Sequence, residues 1–458
     1  MSMLRCISPI DGSVFAERET LGPEAAMEVV AAARDAQADW AVRPLAERVA
    51  LVEAGVARLG QMSDEVVPEL ARMMGRPVRY GGEFGGVEER ASYMASIAGR
   101  ALADSEISDD AGFRRFIRRV PQGVVFVVAP WNYPYLTAIN TVAPALIAGN
   151  AVVLKHATQT LLAGERMVRA FVEAGVPEAV FANVFLDHAT TEALIAARAF
   201  DLVNFTGSVG GGRAIERAAA GTFTGLGLEL GGKDPGYVME DADLDAAAET
   251  LIDGAMFNSG QCCCGIERIY VHERLFDVFL GKAVEIVRGY NLGDPLDEAT
   301  TLGPMANIRF ADEVRAQTAE AVAAGATAHI ETFAADGGTY LTPQILTGVS
   351  HEMRVMRDES FGPVVGIMAV RDDAEALSLM NDSDFGLTAS LWTSDPERAV
   401  RIGDGIETGT VFMNRCDYLD PALCWTGCKE TGRGAALSEL GYQSLTRPKS
   451  FHLKKAAT

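Results

Sequence analysis

Val124-Val-Phe-Val-Val-Ala-Pro-Trp-Asn-Tyr-Pro134 is the stretch of this 458-residue chain that indicates its fold most directly. Its first half is a short, uninterrupted apolar run, which is typical of a strand buried on both faces of a parallel sheet. Its second half is a proline-flanked turn that begins where this strand would end. Open α/β sheets place their ligands at the carboxyl ends of strands, so Asn132 is a candidate functional side chain as well as a simple turn former.

Similar apolar runs alternate with helical patterns through most of the chain. The runs lie at 151–154, 180–186, 202–205, 266–271 and 364–370, and the helical patterns at 161–174, 190–199 and 275–289. The first hundred residues are instead predicted to be helical, with i, i+3, i+4 spacing at 23–40, 44–60 and 83–103. Strands that alternate with helices predict an α/β fold with parallel-rich sheets and right-handed crossovers.

The chain is predicted to form two α/β lobes that meet near Gly231 and Gly232, where one series of strands ends and a second follows. Small-molecule sites form preferentially in the cleft between such lobes. The stretch 113–120 breaks the pattern. Its alternation and its four arginines are typical of an exposed hairpin that faces solvent or another subunit.

The overall charge argues against several classes of partner. The chain has 40 basic and 62 acidic residues, a formal net charge of -22, which repels nucleic acid and anionic lipid. No apolar run approaches the roughly 20 residues of a membrane helix, and the first residues lack the pattern of a signal peptide. We therefore expect a cytoplasmic protein that binds neither nucleic acid nor membranes.

The cysteines predict neither a disulfide framework nor a metal site. There are seven, an odd number, and three of them are consecutive. Cys424 and Cys428 lack the second pair of ligands at matching spacing that a zinc site needs. No metal is expected.

The triple cysteine in Phe257-Asn-Ser-Gly-Gln-Cys-Cys-Cys264 is a candidate nucleophile. Free cysteine is often a small buried apolar residue, so from this run alone packing and catalysis explain it equally well. If the run is extended, neighbouring side chains point to opposite faces. Cys263 would then face a cleft while Cys262 and Cys264 pack in the interior.

A glutamate within an apolar run is the second unusual feature. In Leu228-Glu-Leu-Gly-Gly-Lys-Asp-Pro235, Glu229 would be costly to bury unless it is paired or acts as an acid or base. The simpler explanation of this motif by itself is an exposed glutamate on an edge strand.

These motifs together resemble those of the aldehyde dehydrogenase family, and the resemblance covers nearly the whole chain. The further motifs that carry it are Ser8-Pro-Ile-Asp-Gly12, Met74-Gly-Arg-Pro77, Phe205-Thr-Gly-Ser208, Glu359-Ser-Phe-Gly-Pro363, Asn414 and Lys429-Glu-Thr-Gly-Arg433. The resemblance implies that 1–102 and 122–231 form a cofactor-binding domain and 232–430 a catalytic domain. It also implies that 103–121 and 431–458 join subunits into a homodimer or homotetramer.

The resemblance also implies a covalent mechanism for oxidising a small-molecule aldehyde to its acid. Cys263, two residues after Gln261, is the nucleophile, and its thiolate attacks the aldehyde carbon. The Asn132 amide and the backbone N–H of Cys263 hold the oxyanion. After hydride transfer to NAD⁺ or NADP⁺, Glu229 activates the water that hydrolyses the thioester.

The implied cofactor site lies on the glycine-rich turn Thr206-Gly-Ser-Val-Gly-Gly-Gly212, which opens a helix whose N-terminus suits a pyrophosphate. The resemblance assigns cofactor binding to Trp131, Lys155, Thr158, Phe205, Gly207, Ser208, Gly212, Glu359 and Phe361. Each of these features also has a simpler explanation when it is taken singly. Such a turn is often only a tight connection, Lys155 would be a solvated charge after a strand, and Phe361 would be an ordinary core residue.

Two departures from the family pattern bear on function. Thr158 stands where relatives commonly have a glutamate that binds the ribose 2′-OH and would repel a 2′-phosphate, so we predict that NADP⁺ is accepted alongside or above NAD⁺. The residue after Arg433 is not the glutamate that relays protons in many relatives. Glu229 is therefore expected to act alone.

The resemblance assigns the substrate tunnel to Tyr133, Phe257, Cys262, Arg415, Leu419 and Trp425. Arg415 either pairs with the carboxylate of a semialdehyde or is solvated at the rim. Two other functions stay open. One is a coenzyme A-acylating dehydrogenase, against which the presence of Glu229 argues, and the other is a catalytically idle relative that serves as a binding or structural protein.

Overall fold

The computed structural model describes residues 2–110 and 112–455 of the chain. Its strands are β1 Met3–Ile7, β2 Val14–Glu19, β3 Ser105–Asp109, β4 Phe113–Pro121, β5 Val124–Ala129, β6 Ala151–His156, β7 Phe181–Asn183, β8 Leu202–Thr206, β9 Gly225–Glu229, β10 Asp234–Val238, β11 Ile266–His272, β12 Thr327–Ala328, β13 Gln344–Thr347, β14 Val364–Val370, β15 Phe385–Gly386, β16 Thr388–Trp392, β17 Thr410–Met413, β18 Cys428–Lys429, β19 Gly432–Arg433 and β20 Thr446–Lys454.

Its α-helices are α1 Pro23–Val42, α2 Leu45–Gly60, α3 Ser63–Met74, α4 Phe84–Ala101, α5 Pro134–Ile147, α6 Leu161–Glu173, α7 His188–Ala196, α8 Val209–Ala219, α9 Leu244–Met256, α10 Phe276–Arg288, α11 Ile308–Ala323, α12 Arg354–Arg357, α13 Asp373–Asn381, α14 Pro396–Gly403 and α15 Ser438–Ser444. Short 3₁₀ turns lie at Val78–Tyr80, Thr158–Thr160 and Phe257–Gly260. None of the described helices is both long and apolar enough to cross a membrane.

A six-stranded sheet in the order β19-β9-β8-β5-β6-β7 contains the stretch that opened the sequence analysis. All its pairs are parallel except β19 with β9. Along β5, Val125 and Val127 face one apolar cluster, while Val124 and Phe126 face another. The strand is therefore buried on both faces, which confirms the inference from its uninterrupted apolar run.

A second sheet of seven strands follows the order β12-β13-β14-β11-β10-β16-β17. It is parallel apart from the pair of β12 with β13. Gly231 and Gly232 connect β9 of the first sheet to β10 of the second. The two parallel-rich sheets and their crossover helices confirm the predicted α/β class.

A small antiparallel sheet in the order β20-β4-β3 contains the arginine-rich stretch. Arg114 pairs with Glu106, Arg118 pairs with Asp104, and Arg115 donates to Ser108 Oγ, so three of the four arginines support the sheet itself. Phe116 stacks on Phe451 with ring centroids 4.5 Å apart. Residues 432–433, which were grouped with this sheet on the basis of resemblance, lie instead in the six-stranded sheet as β19.

The helical prediction for the first hundred residues was wrong at the N-terminus. The helices α1, α2 and α4 are present close to the predicted bounds. Residues 3–19, however, form the antiparallel pair β1 and β2, with Met3 opposite Glu19. Each strand has only five or six residues and is largely exposed, so it lacks the apolar alternation by which strands are recognised in sequence.

Candidate active site

A cavity of about 210 Å³ lies where the two lobes meet. It is bordered by the end of β9, by α4 and α5, and by the segment that carries the triple cysteine. Cys263 and Glu229 both line it, as do Tyr133, Phe257, Cys262, Leu419 and Trp425 of the predicted substrate residues. Arg415 does not. It is exposed at the surface, with its guanidinium 3.5 Å from the ring centroid of Tyr418.

The three consecutive cysteines form a turn, so the extended conformation considered from sequence was wrong. Their sulfur atoms lie within 4.8 Å of one another instead of alternating between opposite faces. The cause is the preceding backbone, where Asn258 and Ser259 have φ of 54° and 56° and Gly260 has φ of 69°. Even so, Cys262 and Cys264 are buried and Cys263 is partly exposed, so the middle thiol is the accessible one.

Gln261 holds this turn in place. Its side-chain amide donates to the carbonyl of Asn258 at 2.9 Å, and its Oε1 accepts from the backbone N–H of Ala306 at 2.8 Å. Ser259 Oγ donates to the carbonyl of Gly303 at 2.7 Å. The left-handed backbone, which costs free energy in non-glycine residues, is stabilised by these buried bonds.

Asp417 completes the cysteine cluster and was not found from the sequence. The thiols of Cys262 and Cys264 donate to its Oδ1 at 3.3 and 2.9 Å. Burial holds the pKa of Asp417 well above the usual carboxyl range. The neighbouring thiols of Cys262 and Cys264 lower the pKa of Cys263. The cluster therefore favours the thiolate at the accessible sulfur, which is the nucleophilic form of cysteine.

Glu229 is the last residue of β9, which lies between β19 and β8. The exposed edge-strand alternative is therefore wrong, since this strand is paired on both sides and the side chain is partly buried. Burial raises the pKa of Glu229 to about 7, against the opposing effects of a hydrogen bond from Thr206 at 3.3 Å and the charge of Arg90. A carboxyl group with a pKa near 7 suits general base work at neutral pH.

Asn132 is buried in the turn after β5, with its side-chain Nδ2 donating to the carbonyl of Gln261 at 3.3 Å. Its own carbonyl accepts from Arg76 Nη2 at 2.5 Å. Arg76 is paired in turn with buried Glu83, whose carboxylate accepts the backbone N–H groups of Tyr135 and Leu136 at the start of α5. The Asn132 amide is thereby held beside the cysteine turn.

The predicted dinucleotide turn connects β8 to α8. Ser208 caps the helix by accepting the N–H of Gly211 at 3.2 Å. The ring of Phe205 lies over the turn so closely that a Cβ atom at Gly207 or Gly211 would be 2.7 or 2.5 Å from it. Gly212 packs against Leu230 in the same way. The three consecutive glycines 210–212 thus bring no side chain of their own to the helix N-terminus, whose backbone N–H groups suit a pyrophosphate.

Lys155 and Glu359 are the two ionisable side chains among the predicted cofactor residues. Lys155, on β6, is 6% exposed, and no carboxylate of the described residues lies within 4.0 Å of it. Burial lowers its pKa. Thr158 follows it in a 3₁₀ turn. Glu359 accepts the backbone N–H of Gly232 at 3.0 Å, and burial raises its pKa to about 8.

Phe361 is fixed by its backbone and by Trp131. It has φ of 50°, and its N–H donates to Glu267 Oε1 at 2.9 Å. Glu267 is itself paired with buried Lys233. The ring of Trp131 meets Phe361 edge to face, with centroids 5.5 Å apart. An unpaired buried lysine, an open helix N-terminus and fixed aromatic rings fit a dinucleotide, so these side chains suit NAD(P)⁺.

Arg90 is a further charged cavity residue that the sequence analysis missed. It lies on the buried stripe of α4, between Val87 and Met94 at helical spacing. An arginine within such a stripe is a signal that could have identified it. Asp417 offered no comparable signal, because it lies in an irregular segment.

The comparisons with known proteins agree with this geometry. The profile of the aldehyde dehydrogenase family matches residues 2–451. The chain is 34% identical to a vanillin dehydrogenase of Corynebacterium glutamicum over 98% of this chain and 94% of the relative. It is 35% identical to a succinate-semialdehyde dehydrogenase [NADP(+)] of Mycobacterium avium over 78% of this chain and 76% of the relative.

A solved structure extends the likeness to three dimensions. The NADP-dependent glyceraldehyde-3-phosphate dehydrogenase of Bacillus halodurans, complexed with NADP, is 31% identical and superposes with a TM-score of 0.93. The match covers 99% of this chain and 96% of that one. The chain therefore belongs to the aldehyde dehydrogenase family, and its reaction is the NAD(P)⁺-dependent oxidation of an aldehyde.

Proposed function

We propose that Cys263, Asn132 and Glu229 oxidise an aldehyde to its free acid through a covalent intermediate on Cys263. The observation that carries this proposal is the pairing of two groups in one cavity. A partly exposed cysteine has its pKa lowered by two neighbouring thiols, and a partly buried glutamate has its pKa raised to about 7. A nucleophile and a base are both in their active forms near neutral pH under these conditions.

The first step is attack of the Cys263 thiolate on the aldehyde carbon, which forms a carbon–sulfur bond and places a negative charge on the former carbonyl oxygen. Two donors serve that oxygen, the Asn132 side-chain amide and the backbone N–H of Cys263. Because Asn132 is held against the cysteine turn through Gln261, its amide is preorganised for the developing charge.

When bound, NAD(P)⁺ would supply the hydride acceptor that the change from thiohemiacetal to thioester on Cys263 requires. Lys155, Thr158 and Glu359 would hold its ribose groups, and the turn formed by Phe205, Gly207, Ser208 and Gly212 would hold its phosphates. Trp131 and Phe361 would border its nicotinamide. Glu229 then takes a proton from water, the hydroxide adds to the thioester carbon, and the Cys263 thiolate leaves as the acid is released.

The test of this function is reduction of NAD⁺ and NADP⁺ with a panel of aliphatic, aromatic and carboxylate-bearing aldehydes, with the product identified. Formation of the free acid supports the proposal. A product that appears only with coenzyme A, as the thioester, would favour the acylating alternative. Cofactor binding without hydride transfer to any of the panel would favour the idle alternative.

Cofactor preference provides a separate prediction, since Thr158 carries no charge that would repel a 2′-phosphate. We expect kcat/KM with NADP⁺ to equal or exceed that with NAD⁺. Replacing Thr158 with glutamate should lower the value for NADP⁺ about tenfold or more by like-charge repulsion. The Thr158→Gln variant is the uncharged control of matching size. A hundredfold preference of the wild type for NAD⁺ would contradict the prediction.

We also propose that residues 1–102 and 122–231 form the cofactor-binding domain, residues 232–430 the catalytic domain, and the small sheet an intersubunit contact in a homodimer or homotetramer. The support for the contact is that β3 and β20 are the edges of that sheet and expose Ile107 and Leu453 at 61% and 46%. Edge strands present unpaired backbone N–H and C=O groups that can pair with another chain, and these two apolar side chains could be buried by such a pairing.

The interface proposal predicts a change of mass in sedimentation. The double variant Ile107→Asp, Leu453→Asp should sediment as a monomer, because the added charges cannot be buried at a strand edge. Val42→Asp is the control, since Val42 is 81% exposed on α1. A wild type that is monomeric at micromolar concentration would contradict the proposal.

A further inference from the structure

Arg90 is a buried guanidinium in the wall of the cavity that contains Cys263. It is 6% exposed and lies on α4, which packs against α5. Its Nη1 donates to the carbonyl of Leu136 at 2.9 Å and to Asn140 Oδ1 at 3.2 Å. Its Nε is buried with no hydrogen-bond partner among the described residues. The guanidinium is therefore incompletely satisfied by the protein.

No carboxylate of the described residues lies within 4.0 Å of Arg90. Arg76, which is equally buried, has such a partner in Glu83. Burial without a partner lowers the pKa of Arg90, but a guanidinium remains charged in proteins. An unpaired buried cation is destabilising, so its presence in a ligand cavity indicates that a ligand completes it.

The remaining walls of the cavity do not neutralise this charge. Leu136, Leu387, Leu419 and Trp425 are apolar. Asp417 has its pKa raised far above the usual range by burial and accepts hydrogen bonds from two thiols. Glu229, the other acid of the cavity, has a pKa of about 7, and we propose that it is the general base of the reaction. Arg90 thus has no ion-pair partner within 4.0 Å among the described residues, and its charge acts on Glu229 only at longer range.

We propose that Arg90 binds a carboxylate at the far end of the substrate, so that the enzyme acts on short aliphatic aldehydes that carry this group. The inference rests on the proposed role of Cys263, because the aldehyde carbon must meet that sulfur while the carboxylate meets Arg90. Both residues line one cavity of about 210 Å³, which suits a molecule of a few carbons. A cationic aldehyde is repelled by the same charge.

This assignment replaces one of the two alternatives that the sequence left open for Arg415. Arg415 was the arginine considered for a substrate carboxylate, but it is exposed and stacked on Tyr418, outside the cavity wall. A solvated arginine contributes little to selectivity, because water already satisfies its donors. A desolvated guanidinium discriminates strongly between a substrate with an anionic acceptor and one without.

The test compares aldehydes matched in chain length, 4-oxobutanoate with butanal and 5-oxopentanoate with pentanal. For the wild type we expect a higher kcat/KM with the carboxylate member of at least one pair. In Arg90→Met the ratio of carboxylate to neutral kcat/KM should fall about 10- to 100-fold, mainly through KM. Arg90→Lys should recover part of the ratio, and Arg415→Met, the surface control, should retain it.

Each outcome separates this inference from the proposed function. Two results would overturn the role of Arg90 while leaving the reaction intact. One is that the wild type turns over both members of each pair without preference. The other is that the ratio of carboxylate to neutral kcat/KM is unchanged in Arg90→Met. No turnover of any aldehyde would instead count against the proposed function. The melting temperature of each variant is measured beside its kinetics. If Arg90→Met lowers kcat/KM equally for the carboxylate and the neutral aldehyde, the role of Arg90 is structural and the inference is overturned.

Discussion

Replacing Cys263 with alanine is expected to reduce kcat by a factor on the order of 10⁴ or more, because removing a nucleophile abolishes the covalent route. The measurement is reduced-cofactor absorbance with the best aldehyde of the panel. NADP⁺ binding, followed by protein fluorescence, should persist, since no predicted cofactor contact is removed. An active Cys263→Ala variant would show that another group attacks the aldehyde.

The neighbouring cysteines provide matched controls for that prediction. Cys262→Ala and Cys264→Ala should each retain turnover, because neither thiol is the proposed nucleophile and each acts only as a neighbour that lowers the pKa of Cys263. Removing either thiol should raise this pKa. Iodoacetamide alkylation of Cys263, measured against pH, should therefore have a higher midpoint in both variants than in the wild type. Unchanged midpoints would show that the cluster does not activate the thiol.

Replacing Glu229 with glutamine is expected to slow steady-state turnover by about 10²- to 10⁴-fold while leaving the first hydride transfer intact. Glutamine cannot accept a proton from water, so the thioester on Cys263 should accumulate. Stopped-flow absorbance should show a burst of reduced cofactor close to the enzyme concentration, followed by almost no further turnover. Repeated turnover at the wild-type rate would exclude Glu229 as the base.

The pH dependence provides a second measurement of the same residue. Burial raises the pKa of Glu229 to about 7, so the carboxyl group is protonated and inactive below that pH and ionised above it. Wild-type deacylation should therefore rise with pH through a midpoint near 7. Thr206→Val should move this midpoint upward, because it removes a hydrogen bond that favours the ionised form. This rise of the deacylation rate with pH should be absent in Glu229→Gln.

Much of the fold was predictable because a strand that is buried on both faces has an uninterrupted run of apolar residues in the sequence. The strands β5, β6, β8 and β14 coincide closely with uninterrupted apolar runs. The helices α1, α2 and α4 likewise coincide with stretches of helical apolar spacing. The predicted run at 180–186 forms only the short strand β7. Its remaining apolar residues, such as Val184 and Leu186, are buried in irregular backbone, which periodicity cannot distinguish from a strand.

The candidate site was predictable in its residue types but not in its arrangement. The triple cysteine and Glu229 are unusual in any context, so they could be selected without a structure. The conformation of the cysteines depends on left-handed backbone at Asn258 and Ser259 and on Asp417, which is 153 residues beyond Cys264. Local sequence patterns contain no information about such a contact.

The sequence by itself determined the α/β class and the positions of most helices and strands, and its resemblance to a family selected the candidate nucleophile and base. The physical reason for the first part is that helices and strands follow from periodicity, which acts over a few residues. Only the tertiary structure decided which arginine lines the cavity. Arg90 enters the cavity and Arg415 does not because the packing of α4 against α5, and of each lobe against the other, sets which side chains lose contact with water.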